Sequence, residues 1–249
     1  MNWYYKKVLI VSDNIDQSAQ LHILLQQLAI DKEVIFDWSC SKFSDVELFN
    51  KKTTNTFTQV DLKNPEEVKS IINKYSLVIS MHCKQLFPAE LINKVKCINV
   101  HPGYNPVNRG WYPQVFSIIN NTKIGATIHE IDAQLDHGDI IDRMEVPKYA
   151  WDTSLEIYNR VLEVELVLLN KNLIKILCND YQTLRPENEG TLYLKNDFNQ
   201  LCKLDLEATD TFEAFINKLR ALSHAPFKNA YFIDKETGKK VFIDIRLEV

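Results

Sequence analysis

The sequence predicts an α/β fold: a largely parallel sheet with flanking helices, plus a small C-terminal α+β unit with a β-hairpin. Three observations carry this. Four apolar runs of strand length, "KKVLIVSD", "EVIFDW", "SLVISMH" and "CINVHP", fall within the first 102 residues. The chain between them shows helical spacing or capping signals, and strands alternating with helices need crossovers and pair in parallel. Past Cys178 the composition turns polar and the elements shorten.

The elements follow in order. "KKVLIVSD" is a continuous apolar run bounded by polar residues, as in a buried strand. "QLHILLQQLAI" places Leu21, Leu24, Leu25 and Leu28 at helical spacing. In "KNPEEVKSIINKY", Asn64 can cap a helix, Pro65 suits its first position, and Glu66 and Glu67 favour its positive end. "KIGATIHEID" alternates, with Ile124, Ala126 and Ile128 on one face and Gly125, Thr127 and His129 on the other. "DIIDRMEVPK" reads as a further strand. "TSLE" at Thr153 fits a capping box, and the helix after it carries a stripe of Leu155, Tyr158, Leu162, Leu166, Leu169, Leu173 and Leu177. The boundary falls near 180. Residues 1–180 form the larger domain; residues 181–249 hold one helix, "TDTFEAFINKLRAL", and the hairpin "AYFIDKETGKKVFIDI" turned at Glu236–Lys239.

Composition excludes several classes. A net charge of −4 gives no general basic footprint for nucleic acid. No run reaches the ~18 apolar residues of a membrane span, and the short apolar run at the N-terminus does not suit a signal peptide. Five scattered cysteines without CxxC spacing read as reduced thiols in a cytoplasmic protein. "VSDNID" has no glycine, so a dinucleotide fingerprint is absent; neither a phosphate-binding GxxxxGK[ST] loop nor a GxSxG elbow appears.

Two stretches carry chemistry. In "INVHPGYNPVNRGWYPQ", Asn99 and His101 close an apolar run, where open α/β sheets bind ligands at strand carboxyl ends. Two residues apart, they leave one face of an extended segment. An amide can stabilise an oxyanion, worth roughly 3–4 kcal/mol per donor. An imidazole can move a proton, worth about 100- to 10,000-fold in rate. The second stretch, "HEIDAQLDHGDII", holds Asp132, Asp136 and Asp139 with His129 and His137. It reads as a polar turn, as a metal site of unfamiliar spacing, or as the source of Asp136 as partner to His101. His129, on an alternating strand, reads as structural.

Together "NVHPGYNPVNRG" and "GATIHEID…LDHGDII" resemble the formyltransferases that use N10-formyltetrahydrofolate, over residues 7–150. The resemblance implies a Rossmann-like sheet, N10-formyltetrahydrofolate as co-substrate and no metal. It implies Asn99, His101 and Asp136 as catalytic residues: an acceptor amine attacks the formyl carbon, while Asn99 and a protonated His101 stabilise the oxyanion and Asp136 supports the histidine. It also implies folate contacts from "MHCKQLFP", with Met81, His82 and Leu86, and from "DAQLD", with Ala133, Gln134 and Leu135.

"NRGWYPQVFSI" with the terminal "LRALSHAPFKNAYF" looks most like the nucleotide-sugar N-formyltransferases, which implies a dTDP-linked amino-dideoxyhexose acceptor for O-antigen or related surface glycans. The 4-amino-4,6-dideoxyglucose is the leading choice. A 3-amino sugar nucleotide, glycinamide ribonucleotide, methionyl-tRNA, water, or folate binding without turnover stand as alternatives. For that acceptor, Lys84 and Arg109 suit a diphosphate. Tyr104, Trp111, Tyr112, Phe227 and Tyr231 supply aromatic faces for base and sugar. The apolar hairpin has little chain left to cover it, which predicts a homodimer through it.

Overall fold

The computed structural model describes residues 2–249. In chain order the elements are β1 (Lys7–Ser12), α1 (Ile15–Gln27), β2 (Ile35–Ser41), α2 (Val46–Lys52), β3 (Phe57–Val60), α3 (Pro65–Lys74), β4 (Leu77–Met81), α4 (Ala89–Ile92) and β5 (Lys96–His101). There follow β6 (Arg109–Gly110), α5 (Pro113–Ile119), β7 (Gly125–Glu130), β8 (Ile140–Glu145) and α6 (Ser154–Leu177). Last come β9 (Leu192–Tyr193), α7 (Lys195–Cys202), α8 (Phe212–Leu222), β10 (Tyr231–Ile233) and β11 (Lys240–Phe242).

Seven strands make one sheet in the order β3-β2-β1-β4-β5-β7-β8. The first five are parallel; β7 and β8 join antiparallel. Strand alternation sorts the core onto two faces. Val8, Ile10, Leu77, Ile79, Met81, Ile98 and Val100 pack towards α1 and α6. Leu9, Val11, Val78 and Cys97 pack with Val68 and Ile71 of α3 and Leu91 of α4. The strand order reverses between β1 and β4, so the crevice outside their carboxyl ends is the natural ligand position.

Local chemistry sets the helix starts. Asn64 caps α3 through Glu66 N, with Pro65 next. Thr153 and Glu156 form the capping box of α6, a cap worth about 1 kcal/mol.

The structure corrects the sequence reading in three places. The stripe of α6 is rotated: Ile157, Val161, Leu168, Leu169, Leu173, Ile176 and Leu177 are buried, while Leu155, Leu162 and Leu166 lie at its margin. Leucine is the commonest apolar residue here, yet Ile157 and Val161 point inward. Helix α2 and strand β3 lie where the sequence predicts no element, because "VELFNKK" and "FTQV" carry weak patterns. After α6 the chain forms two helices, not one: α7 buries only Phe198 and Cys202, too few to show as a stripe.

Beyond α6, Arg109–Gly110 pairs with Leu192–Tyr193, and Ala221, Leu222 and Ala230 join the core shared with α5 and α6. The hairpin β10–β11 closes through Asp234–Lys239. No helix is long and apolar enough to cross a membrane among the described residues.

Candidate active site

Antiparallel pairing of β5 with β7 builds the floor of the site. It sets Asn99 opposite His129 and His101 opposite Thr127, and side chains directly opposite share a face. Thr127 Oγ donates to Gly103 O at 2.7 Å and accepts from Asn105 N at 3.0 Å, pinning the loop after His101 to the sheet.

Asp136 enters from the loop between β7 and β8. Its φ of 47° lies in the left-handed region, strained for a non-glycine residue. Four contacts hold it. Its carbonyl accepts from Asn105 Nδ2 at 3.0 Å, Oδ1 accepts from Asn99 Nδ2 at 3.1 Å, and Oδ2 accepts from Gly110 N at 3.1 Å. Arg109 Nη1 donates to the adjacent Leu135 carbonyl at 3.2 Å. His101 Nδ1 stands 3.5 Å from Oδ2. Burial works to raise the Asp136 carboxyl, and the histidines and the Gly110 N–H outweigh it and hold it below the usual range.

His101 is buried, and its Nε2 has no hydrogen-bond partner. A Cβ at position 103 would stand 2.4 Å from that nitrogen, so Gly103 keeps the space beside it open. Burial pushes the imidazole down to about 4; His129 and His82 act in the same direction and Asp136 opposes them. That direction favours the neutral ring before reaction, and the protonated form that the resemblance implies would arise as the ring takes up a proton. With Nδ1–H towards the Asp136 carboxylate, the lone pair sits on Nε2, as in a general base.

His129, read from sequence as structural, belongs to this cluster. Its Nδ1 lies 2.7 Å from the Glu130 carbonyl, which only accepts, so Nδ1 carries the proton. Nε2 then accepts from Asn99 Nδ2 at 3.3 Å. Asn99 thus spends its amide hydrogens on Asp136 and His129, which fixes the amide: turned over, its oxygen would face a carboxylate. The alternation had placed Thr127 and His129 on one face; the register with β5 was the missing signal.

The other sequence-predicted residues spread around this centre. Met81 is buried in the core. His82 donates to or accepts from Glu165 at 2.8 Å. Leu86, Ala133 and Gln134 are exposed, and Leu135 is half-buried. Lys84 lies with Asp13, Asn14, Phe43, Ser44 and Leu48 on a groove of about 390 Å³. The groove opens at the carboxyl ends of β1 and β2. Arg109 is buried behind Asp136 and lines, with Asn105, His137 and Arg185, a cavity of about 220 Å³. Tyr104 is stacked under Arg143 and Lys123. Trp111 lies under Lys195, and Tyr112 stacks on Phe198 at 4.0 Å. Phe227 packs near His224, and Tyr231 stays in the hairpin beside Phe242. The structure therefore gathers Asn99, His101 and Asp136, and does not gather the aromatic residues into one patch. Among the described residues no three His, Cys, Asp or Glu side chains assemble as a metal ion would require.

Comparison with known proteins accords with this geometry. Residues 9–173 match the model of the formyl transferase family, and residues 197–249 match the N-formyltransferase dimerization C-terminal domain. A dTDP-4-amino-4,6-dideoxyglucose formyltransferase from Mycobacterium bovis is 51% identical over 183 residues, 74% of this chain and 78% of that protein. A sugar N-formyltransferase structure from a Shewanella species superposes with a TM-score of 0.92 at 41% identity, covering 98% of each chain. A 4-N formyltransferase from Francisella tularensis superposes at 0.87, also with 41% identity and 98% of each chain. With a buried, carboxylate-backed histidine at the end of β5 and two family models matching in sequence order, this chain belongs to the formyl transferase family.

Proposed function

We propose that the protein is a sugar N-formyltransferase that moves a formyl group from N10-formyltetrahydrofolate to the amino group of a dTDP-linked amino-dideoxyhexose, with dTDP-4-amino-4,6-dideoxyglucose as the preferred acceptor. The observation that carries the chemistry is the buried, unpartnered Nε2 of His101, backed at Nδ1 by Asp136. As the amine attacks the formyl carbon, Nε2 takes a proton from it. The resulting imidazolium faces the oxyanion and returns the proton to N10 as the C–N10 bond breaks. Asn99 supplies an oxyanion donor by exchanging its 3.3 Å bond to His129 for the new oxygen. Folate contacts come from His82, Leu86, Ala133, Gln134 and Leu135 at the rim, and Met81 supports them from the core.

The acceptor reading rests on the name of the mycobacterial relative and on the groove at the carboxyl ends of β1 and β2. There the exposed Phe43 ring suits a nucleobase and Lys84 a diphosphate. The test is mass spectrometry after incubation with N10-formyltetrahydrofolate and a panel of dTDP-4-amino and dTDP-3-amino dideoxyhexoses, glycinamide ribonucleotide and methionyl-tRNA. One formyl group gained on a dTDP-sugar, and lost in Asn99→Ala and His101→Ala, is the expected result. Transfer to another panel member alone would overturn the acceptor, and no transfer to any would overturn the activity.

The reading extends to assembly and location. Residues 181–249 would form the unit that makes a homodimer, since Phe212 (88% exposed), Phe215, Ile216, Ile233, Val241 and Phe242 (45%) leave apolar surface uncovered there. Light scattering at micromolar concentration should give twice 29.0 kDa; a monomer mass would refute the dimer. Five free cysteines and a folate co-substrate support a cytoplasmic location.

A further inference from the structure

Formyl transfer to an alkylamine leaves a proton over. At pH 7 such an amine is an ammonium, as lysine and α-amino groups are, and only the free lone pair attacks. His101 can carry one proton from the amine to N10. The proton that made the amine an ammonium needs another acceptor.

Building on the function proposed above, we propose that His82, oriented by Glu165, accepts that first proton. Three observations converge. His82 leaves the end of β4 beside the end of β5, where Met81 pairs with Val100. Its φ of 57° is left-handed. Regular alternation would send the side chain to the face of Val78, towards α3 and α4; the left-handed turn brings the ring to α6 instead. There Nε2 lies 2.8 Å from Glu165 Oε2, and Nδ1 lies 3.5 Å from the Tyr158 hydroxyl.

Glu165 is the anomaly of its helix. It stands in the buried stripe one turn after Val161 and one turn before Leu169, with no exposure. Its Oε1 has no partner, and His82 is the side chain bonded to Oε2. Burying a carboxyl this way costs several kcal/mol, which an apolar residue would avoid. Burial raises its proton affinity and His82 opposes that.

The titratable groups that His82 contacts are Glu165 and Tyr158 from α6, and it acts through space on His101 of β5. Tyr158 in turn meets Asn14 at the start of α1 and the His224 ring. In the step, an ammonium N–H bond breaks and its proton passes to Nδ1 while Nε2–H stays on Glu165. The imidazolium is balanced by the carboxylate, and the proton leaves to water with the product. His101 is then free to carry the second proton.

The test compares His82→Asn and Glu165→Gln with wild type in kcat/KM from pH 6.5 to 9.5, using an amine that wild type formylates. At pH 7 each variant should lose about 100-fold. The deficit should shrink below tenfold at pH 9.5, where more of the amine arrives uncharged, whereas a lost binding contact alone would cost the same at every pH. A deficit equal at all pH values, or none at pH 7, overturns the proposal. Should Glu165→Gln fail to fold, His82→Asn alone decides. If wild type formylates no amine, the control arm shows it first, and the functional reading falls together with this one.

Discussion

Asp136→Asn is expected to lower kcat by about 10³- to 10⁴-fold with small changes in either KM. The carboxylate is surrounded by donors: Asn99 Nδ2 at Oδ1, Gly110 N at Oδ2, and His101 Nδ1 3.5 Å from Oδ2. An asparagine has one oxygen to meet them. If it keeps the Asn99 bond, its NH₂ opposes the Gly110 N–H and His101 Nδ1. The imidazole then answers by moving its proton to Nε2, so the lone pair turns from substrate to the new amide. If the amide is reversed, two NH₂ groups meet and Asn99 loses its orientation. The first arrangement loses the base on Nε2 and the second misplaces the oxyanion donor, and neither removes a substrate contact, which is why KM should hold. Single-turnover formyl transfer measures this directly. A loss below tenfold would show that Asp136 does not set the tautomer, and Asn99 with desolvation would then have to account for the chemistry.

How much of this was legible beforehand depends on the range of each interaction. The parallel sheet was readable because its strands are short apolar runs buried on both faces, and α3 because Asn64 and Pro65 act within one turn. Asn99 and His101 were visible as polar residues ending an apolar run. His129 was not, because its role comes from the pairing of β5 with β7 and from the Glu130 carbonyl; a single strand does not reveal its register. The lowered proton affinity of His101 comes from burial under a loop that Gly103 and Thr127 shape, again a tertiary effect. Glu165 could have been found: it interrupts the run Ile157, Val161, Leu169, Leu173 at the four-residue spacing of one helical face. A stripe drawn through the leucines passes beside Glu165 and does not meet that interruption. Arg109 is the reverse case, a cation whose residue type suggests a phosphate, while its Nη1 lies on the Leu135 carbonyl.

Gly110→Ala is expected to cost about 2–4 kcal/mol of stability and to lower kcat as well, because this glycine joins two parts of the molecule. Its φ is 91°, and a Cβ there would stand 2.2 Å from the Tyr193 carbonyl oxygen. That oxygen is backbone and already accepts from Trp111 N at 2.9 Å, so no side-chain rotation relieves the overlap. Either β9 moves off or the Arg109–Gly110 segment retreats. Retreat draws Gly110 N away from Asp136 Oδ2, loosening the carboxylate that holds His101. For a chain of this size the stability loss corresponds to a Tm lower by roughly 5–15 °C. Gly238→Ala is the matched control: its φ of 65° is also left-handed, but nothing lies within 4 Å of its added Cβ. It should cost about 1 kcal/mol and leave turnover unchanged. If the two variants melt alike and turn over alike, the contact between β9 and the catalytic loop carries no weight. If Gly110→Ala alone loses both, the segment after α6 is a structural support of Asp136, and the site depends on the C-terminal part of the chain.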